Sequence, residues 1–310
     1  MSALICGSIA YDTIMVFPDS FKHHILPEQV HILNVSFLVP ELRREYGGCA
    51  GNIAYNLNLL GDPPLIVATV GKDFGPYSDW MNYCGLRQDH IKVLEDSYTA
   101  QAYITTDQDD NQITAFHPGA MSYSHLNDLP VDSTARIGMV SPDGKAGMIL
   151  HARQFVEAGI PFIFDPGQGM PMFDGDELLE LIEQSTWITL NDYEAQLMQD
   201  KTGLSVEEIA ARVNGLIITR GAQGSSIFAE GTHHDIPPVP TGDAVDPTGC
   251  GDAYRAGLLY GLQRDLAWPT TGRIASLLGS LKIETYGTQN HSFEMEGFRR
   301  KFHAHFGYDF

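Results

Sequence analysis

The order of strand-like and helical segments indicates the fold class of this chain. Short apolar runs rich in β-branched and aromatic residues alternate with longer stretches of helical periodicity. This alternation favours a parallel sheet whose strands are joined by crossover helices. The runs predicted as buried strands are residues 4–5, 65–70, 137–140, 162–164, 187–190 and 216–219. We therefore expect an α/β protein with a mostly parallel central sheet.

Two stretches break this alternation and predict a second, smaller sheet. Residues 31–46 and 99–116 contain Ile, Val, Phe, Thr and Tyr but show no sustained helical period. We expect them to form a small β-sheet that projects from the main body as a lid, built from segments near 12–46 and 97–118. Because this lid is discontinuous in sequence, residues 1–310 are expected to form one domain.

The charge and the apolar pattern argue against several functional classes. The chain carries 39 acidic and 19 basic residues, a formal net charge of −20, and it has no basic run typical of nucleic-acid-binding proteins. Nucleic acid is therefore not an expected partner. No apolar run reaches the roughly 18 residues of a membrane span, and the N-terminus lacks the basic segment of a signal peptide. We expect no membrane association.

The cysteines and histidines show no metal or disulfide pattern. Cys6, Cys49, Cys84 and Cys250 lie far apart without a C-x-x-C pair, which argues against a structural zinc site or a secreted disulfide framework. The 12 histidines show no H-E-x-x-H or comparable ligand spacing. The reducing cytoplasm is the compartment that this composition predicts.

The heptapeptide D-P-T-G-C-G-D, residues 246–252, carries the most specific chemistry. It places Gly249 and Gly251 where a loop becomes a helix, so that backbone N–H groups can approach a ligand closely. The N-terminus of a helix has unpaired N–H groups and a positive end, which suits a phosphate group. The carboxylate of Asp252 would repel that anion. We interpret Asp252 as the acceptor of a proton from an attacking hydroxyl group, which indicates phosphoryl transfer.

The helix that follows this heptapeptide has a row of small residues on one face. Ala253, Gly257 and Gly261 recur at every fourth position. Each interior glycine costs roughly 1 kcal/mol relative to alanine, so close approach of another backbone must compensate. We expect this helix to be buried and its small-residue row to pack against the sheet.

Two further motifs near the N-terminus are weak on their own. Residues 47–52, G-G-C-A-G-N, enter a helix and offer close backbone contact and an asparagine amide. The alternative is an ordinary strand–turn–helix junction. Asp12, which lies just after the first strand, can accept hydrogen bonds from two sugar hydroxyl groups, or it is a solvated loop residue.

Two motifs in the C-terminal half have similar alternatives. Residues 191–194, N-D-Y-E, can orient magnesium waters and phosphate oxygens, or the asparagine is simply a helix N-cap. Residues 219–224, T-R-G-A-Q-G, are a phosphate or nucleotide contact, or a glycine-containing hairpin turn. The chain has no Walker A sequence, so nucleotide binding must use another loop.

The joint order of these motifs resembles the ribokinase-like (PfkB) carbohydrate kinase family. The shared pattern is an aspartate followed by G-G-x-x-x-N, N-x-x-E, T-x-G and D-x-T-G-x-G-D, and it extends from Gly7 to about Phe306. Within the family the chain is most similar to bacterial adenosine kinases, in segments such as F-H-P-G-A-M and D-P-T-G-C-G-D-A-Y-R-A-G. The resemblance implies a three-layer sandwich with a small discontinuous β lid, and it implies ATP and Mg²⁺ at the active site.

The resemblance also implies roles for individual residues. Asp252 matches the general base, and the matching anion hole is Gly249, Cys250 and Gly251. The positions that match the substrate site are Ser8, Asp12, Ser36, Gly48, Asn52, Phe116 and Gln168. The positions that match the nucleotide site are Asn191, Glu194, Thr219, Arg220, Gly221 and Gly224, with Glu194 reaching magnesium through water. Asp246 and Thr248, with the loop around Gly287, resemble a monovalent-cation site that potassium could fill.

The activity implied by the resemblance is ATP-dependent phosphorylation of the 5′-hydroxyl of adenosine to AMP, a purine-salvage reaction. The chain keeps only Gln168 of the two glutamines that bacterial adenosine kinases carry after D-P, and Ala102 stands where their lid has an aromatic residue. Both departures lie near the base or sugar pocket. A kinase of ribose, another nucleoside or another sugar therefore stays open, as does a non-catalytic nucleoside-binding protein. The resemblance also leaves open a homodimer formed through the lid.

Overall fold

The strands of the protein form two sheets of unequal size. The computed structural model describes residues 2–25, 35–109, 111–130 and 135–310. The larger sheet contains β1 (Ala3–Cys6), β4 (Leu65–Gly71), β5 (Ile91–Leu94), β8 (Ile137–Val140), β9 (Phe162–Phe164), β10 (Trp187–Asn191), β11 (Gly215–Thr219), β12 (Ser225–Ala229) and β13 (Thr232–Ile236). The smaller sheet contains β2 (Ala10–Val16), β3 (Glu41–Gly47), β6 (Ala100–Thr106) and β7 (Gln112–His117). The predicted fold class is confirmed.

The larger sheet is mostly parallel, as predicted. Its order is β13-β12-β11-β10-β9-β8-β1-β4-β5, and among the described strands only the β11–β12 and β12–β13 pairs are antiparallel. All six runs predicted as buried strands lie in it. Because parallel strands end at the same edge, the residues that follow β1, β8, β9, β10 and β11 meet there.

Helices cover both faces of the larger sheet and complete the three predicted layers. The helices are α1 (Cys49–Leu59), α2 (Gly75–Cys84), α3 (Lys145–Ala158), α4 (Gly175–Gln184), α5 (Asp192–Thr202), α6 (Val206–Ala210), α7 (Cys250–Leu262), α8 (Trp268–Ile283) and α9 (Met295–Phe306). Ala3 and Ile5 of β1 pack into a core shared with α1, α2, α7, α8 and α9. Leu4 and Cys6 point to the other core, formed with α3 to α6. No helix of the described residues is long and apolar enough to cross a membrane.

The smaller sheet corresponds to the two segments predicted as a lid. Its order is β3-β2-β6-β7, with β2 and β6 parallel and the two outer pairs antiparallel. Asp12 in β2 lies opposite Glu45 in β3 and Ala102 in β6. Residues 26–34, which belong to the first predicted lid segment, lie outside the described residues.

The small-residue row of α7 packs against α8, so the prediction that it packs against the sheet is wrong. A Cβ atom on Gly257 would lie 2.4 Å from the Cα of Ala275. A Cβ on Gly261 would lie 2.4 Å from the Oγ1 of Thr271. Both partners belong to α8, which lies so close that only glycine fits. The periodicity indicated close backbone approach but not which element approaches.

We expect Gly257→Ala to lower the free energy of unfolding by about 1–3 kcal/mol, because the added methyl group overlaps the backbone of Ala275. The matched control is Gly297→Ala in α9, where the nearest atom to an added Cβ is 3.9 Å away, on the flexible side chain of Arg300. This control should be neutral or stabilise by up to about 1 kcal/mol through helix propensity. Urea unfolding of both variants measures the difference. Equal effects in the two variants would contradict the close α7–α8 packing.

Candidate active site

A cleft at the carboxyl edge of the larger sheet collects most of the residues identified from the sequence. It has a volume of about 1170 Å³, and the smaller sheet contributes Asp12, Ala102 and Phe116 to its wall. The predicted residues that line it are Ser8, Asp12, Gly48, Asn52, Phe116, Gln168, Asn191, Glu194, Thr219, Gly221, Gly224, Thr248, Gly249, Cys250, Gly251 and Asp252. The separate motifs therefore converge on one site.

Three predicted residues do not line this cleft. Ser36 is exposed outside it. Arg220 turns to Asp235, with 3.0 Å between Nη2 and Oδ1. Asp246 lies behind the wall of the cleft, where its carboxylate accepts backbone N–H groups. Residues 219–224 form the turn between β11 and β12, the alternative considered for them, but the other predicted residues of this turn still face the cleft.

Asp252 lies in the first turn of α7 and points into the cleft. The Nδ2 of Asn52 donates a hydrogen bond of 2.8 Å to its Oδ2. Burial raises the pKa of Asp252 to about 6, although the Asn52 amide and the Arg255 guanidinium both act to lower it. A carboxylate with this pKa is ionised at neutral pH and is more basic than an exposed aspartate, which suits a proton acceptor.

A buried chain of hydrogen bonds fixes the orientation of Asn52. Its Oδ1 accepts a hydrogen bond of 3.0 Å from the Nε2 of Gln289. The same Nε2 donates to the hydroxyl of Tyr77 at 2.7 Å, and the Oε1 of Gln289 accepts from the Nε1 of Trp80 at 2.9 Å. Because Gln289 donates to Asn52 Oδ1, the Nδ2 of Asn52 must face Asp252. Gln289 is a positioning residue that sequence reasoning missed.

The N-terminus of α7 offers free backbone N–H groups at the glycines. Gly249 is the N-cap, with φ 79°, and a Cβ there would lie 3.0 Å from the side chain of Thr288. The Cys250 N–H already donates to the Pro247 carbonyl oxygen at 3.1 Å. The N–H groups of Gly249 and Gly251 have no hydrogen-bond partner in the described part of the chain. An anion hole here would therefore rest on the glycines, with Cys250 N–H directed to its own loop.

The carboxyl group of Asp12 lies on the lid side of the cleft. Burial raises its pKa to about 6, and the nearby carboxylates of Glu45 and Asp246 add to this effect. Two free carboxylate oxygens in a concave site can accept hydrogen bonds from vicinal hydroxyl groups of a sugar.

The segment before α1 lets its backbone pass close to β2. Gly48 has φ 86°, and a Cβ there would lie 2.6 Å from both the Ala10 nitrogen and the Ser8 carbonyl oxygen. The Oγ of Ser8 accepts the Cys49 N–H at 3.0 Å and so satisfies a free donor at the start of α1. Ser8 and Gly48 therefore shape the floor of the cleft.

Asn191 and Glu194 form a capping box at the start of α5. The Glu194 N–H donates to Asn191 Oδ1 at 2.7 Å, and the Asn191 N–H donates to Glu194 Oε2 at 2.7 Å. The N-cap alternative for Asn191 is therefore what the structure shows, and both side chains also line the cleft. Burial, followed by the Asp165 carboxylate, raises the pKa of Glu194, while Arg255 acts to lower it.

The site fits a magnesium ion held mainly by phosphate oxygens and water. The described residues contain no group of three or more His, Cys, Asp or Glu side chains that could hold a metal by themselves. Magnesium in nucleotide sites commonly uses one or two carboxylates with several waters and phosphate oxygens. Glu194 would supply one such carboxylate, because its Oε1 is not used by the capping box.

A buried ion pair forms part of the wall of the cleft and was not predicted from the sequence. Arg255 of α7 donates to both oxygens of Asp165, at 2.7 Å to Oδ2 and 2.9 Å to Oδ1. Its Nη2 also lies 3.9 Å from Glu194 Oε2. Two signals for it exist in the sequence. Asp165 directly follows β9 at the carboxyl edge of the sheet, and Arg255 lies three residues after Asp252 on the same helix.

Comparison with known proteins gives consistent matches over nearly the whole chain. The family described as pfkB family carbohydrate kinase matches residues 10–294. The nucleoside kinase of Methanocaldococcus jannaschii is 30% identical over 259 residues, which are 83% of this chain and 85% of that protein. The structure of this archaeal nucleoside kinase, a member of the ribokinase family, has a TM-score of 0.88 at 27% identity and covers 98% of this chain and 99% of that one.

A solved structure with higher identity is the nucleoside kinase of Burkholderia thailandensis in complex with inosine. It is 51% identical, has a TM-score of 0.90, and the match covers 99% of each chain. These matches agree with the site, in which an aspartate at a helix N-terminus lies beside free backbone N–H groups. The protein is a phosphotransferase that acts on a hydroxyl group, and it belongs to the pfkB family of carbohydrate kinases.

Proposed function

We propose that this kinase transfers the γ-phosphoryl group of ATP to the 5′-hydroxyl of a purine nucleoside, with adenosine as the first candidate acceptor. The observation that carries the proposal is the hydrogen bond of 2.8 Å between Asn52 and Asp252. It joins the motif at residues 47–52, which would hold the sugar, to the motif at residues 246–252, which would hold the phosphate, at one point of the cleft. The likeness to two nucleoside kinases supports the class of acceptor, and a role in purine salvage would follow from it.

The two carboxylates with raised pKa values, Asp12 and Asp252, have different roles toward the nucleoside. Asp12 accepts hydrogen bonds from the ribose hydroxyl groups and so orients the sugar. Asp252 accepts the proton of the 5′-hydroxyl as its oxygen attacks the γ-phosphorus. A bond forms between the 5′-oxygen and the γ-phosphorus, and the bond from the γ-phosphorus to the β,γ-bridging oxygen breaks. The products are the nucleoside monophosphate and ADP.

The charge that develops on the phosphoryl group is balanced by fixed donors. In this proposal the N–H groups of Gly249 and Gly251 donate hydrogen bonds to the transferring group, and loss of one such donor costs about 3–4 kcal/mol in other enzymes. Glu194 would hold magnesium through water, and the ion supplies positive charge to the phosphates when bound. This charge also offsets the repulsion between ATP and a protein with a net charge of −20.

Gln168 is the residue that we expect to recognise the nucleobase, through its single side-chain amide. Its Nε2 lies 3.7 Å from the sulfur of Cys49, a weak contact that leaves the amide available to a ligand. An amide offers a donor and an acceptor, so it can pair with adenine or with hypoxanthine. Inosine is therefore the second candidate acceptor, and the inosine complex of the Burkholderia thailandensis nucleoside kinase favours it.

A substrate panel tests the proposed function. We expect one of the two purine nucleosides, adenosine or inosine, to give the highest kcat/KM among adenosine, inosine, guanosine, cytidine and ribose, measured by ADP release. Gln168→Ala should lower kcat/KM for the purine nucleosides by about tenfold through the lost hydrogen bonds and leave that for ribose unchanged. Fastest turnover of ribose would establish a sugar kinase instead. Binding of adenosine without ADP release would establish the non-catalytic alternative.

We also infer that the smaller sheet acts as a lid that closes over the nucleoside and excludes water from the transferring group. The support is that Asp12, Ala102 and Phe116 of this sheet line the cleft, while Phe116 remains 54% exposed. Among the described residues, β3 and β7 are the outer strands of this sheet, and outer strands can pair with another chain. A homodimer through the lid stays a prediction.

A further inference from the structure

Lys282 is a fully buried lysine behind the loop formed by residues 246–249, which leads into α7. It lies in the last turn of α8 and is 0% exposed. Its Nζ donates to the carbonyl oxygen of Asp246 at 2.7 Å and to that of Thr285 at 3.2 Å. Burial of an ammonium group costs free energy unless oxygen atoms accept its hydrogen bonds, and these two carbonyl oxygens offset that cost.

The two carbonyl oxygens belong to the segments that together hold the start of α7. The N–H groups of Val245 and Asp246 both donate to the Ile283 carbonyl oxygen, at 2.8 and 3.1 Å. The Gly287 N–H donates to Asp246 Oδ2 at 2.9 Å. Lys282 therefore lies at the junction of the loop that carries Gly249 to Asp252 and the segment that follows α8.

The residues at this junction do not fit a monovalent cation. A hard cation needs several oxygen ligands, but the Asp246 carboxylate already accepts the N–H groups of Thr248 and Gly287, each at 2.9 Å. The carbonyl oxygens of Asp246 and Thr285 are taken by the ammonium of Lys282. The prediction of a monovalent-cation site at Asp246 and Thr248 therefore conflicts with the contacts in the structure.

We propose that the ammonium of Lys282 supplies the positive charge that the sequence resemblance assigned to a monovalent cation, so that phosphoryl transfer by this enzyme does not depend on potassium. The proposal rests on the proposed kinase activity. Lys282 is a positioning residue: it holds the carbonyl oxygens on either side of the loop and thereby orients the N–H groups at the start of α7. It also places a fixed positive charge near Asp246 and Asp252, which favours an anion in the cleft.

The first experiment compares the wild-type enzyme in potassium chloride, sodium chloride and choline chloride at equal ionic strength. We expect kcat and kcat/KM to agree within about twofold in the three salts, because the required charge is covalently attached. A fall of about tenfold or more in choline chloride, reversed by potassium, would overturn the proposal.

A pair of variants then separates the charge from the side-chain volume. Lys282→Ala leaves a space lined by the freed carbonyl oxygens, so its kcat should fall by at least about tenfold in choline chloride and recover as potassium is added. Lys282→Met fills the space with an apolar chain and should stay low in every salt. If potassium fails to restore the kcat of Lys282→Ala, or if Lys282→Ala is equally active in all salts, the proposed role of the ammonium is contradicted.

Thermal unfolding without nucleotide gives a readout that is independent of catalysis. Potassium should raise the Tm of Lys282→Ala relative to choline, because a ligand that binds only the folded state stabilises it. It should not raise the Tm of the wild type or of Lys282→Met. If no nucleoside is phosphorylated, the proposed function fails, but this pattern of Tm values still tests Lys282. A Tm of the wild type that rises with potassium would show an additional cation site and refute the proposal.

Discussion

Asp252→Asn is expected to lower kcat by about 10²- to 10⁴-fold, because the amide cannot accept the proton of the attacking hydroxyl. The fold should survive the change. Burial raises the pKa of Asp252 to about 6, so the contribution of this carboxyl group to stability is present at low pH and is lost as the pH rises through about 6. At pH 8 the Asn variant should therefore unfold at no lower temperature than the wild type. Steady-state kinetics and thermal unfolding at pH 8 measure the two quantities.

The matched control for this variant is Asp309→Asn, which removes the same charge from an exposed carboxylate paired with His303 near the C-terminus. It should leave kcat unchanged. The wild-type kcat/KM should decrease as the pH falls below about 6, because Asp252 and Asp12 both have pKa values near that value and both act as carboxylates. A turnover of Asp252→Asn near the wild-type rate, with intact folding, would show that another group is the base.

Arg255→Met should lower the free energy of unfolding by about 3–5 kcal/mol, because it leaves the carboxylates of Asp165 and Glu194 buried without a counter-charge. It should also move the acid limb of kcat/KM to higher pH, since Arg255 acts to lower the pKa of Asp252. A purely structural pair would change stability without moving this limb. Urea unfolding and the pH profile of kcat/KM measure the two effects.

The double variant Arg255→Met/Asp165→Asn removes the ion pair without leaving Asp165 charged. It should recover part of the stability lost in Arg255→Met. Together with the single variant Asp165→Asn, these two variants complete a cycle that gives the coupling free energy between the two residues. The control is Arg300→Met, which breaks an exposed pair with Glu296 whose side chains are 70% and 86% exposed. Exposed pairs contribute little, so this change should be nearly neutral. Equal losses in Arg255→Met and Arg300→Met would show that burial of the pair has no energetic consequence.

The fold could be predicted because the relevant information is local. Runs of apolar residues predicted six of the seven described strands that have a parallel neighbour in the larger sheet, whereas β5 was not predicted. Strand direction then placed the motifs on one edge. The same local reasoning explains why Asn191 is both a helix N-cap and a residue of the cleft. A side chain at a helix N-cap can satisfy the helix and face the cleft together, so the two interpretations were not alternatives.

Contacts between distant segments could not be predicted. Asp165 and Arg255 are 90 residues apart in sequence, and only the packing of α7 beneath the edge of the sheet brings them together. The same holds for Gln289, which contacts Asn52 from a loop near the C-terminus. Ser36 and Arg220 show the opposite error. Both were predicted to line the site, but Ser36 is exposed outside the cleft and Arg220 pairs with Asp235, because the direction of a side chain depends on neighbours that the sequence does not reveal.

The position of Asp12 within β2 has a consequence for the order of events in turnover. Asp12 is part of the smaller sheet, hydrogen-bonded between β3 and β6, whereas Asp252 is part of α7 on the main body. In the proposed mechanism, the group that would hold the sugar and the group that would take its proton thus belong to separate structural units. We infer that closure of the smaller sheet would set the distance between these two carboxylates. A nucleoside held by Asp12 would then favour the closed state, and ATP bound without a nucleoside would be protected from hydrolysis.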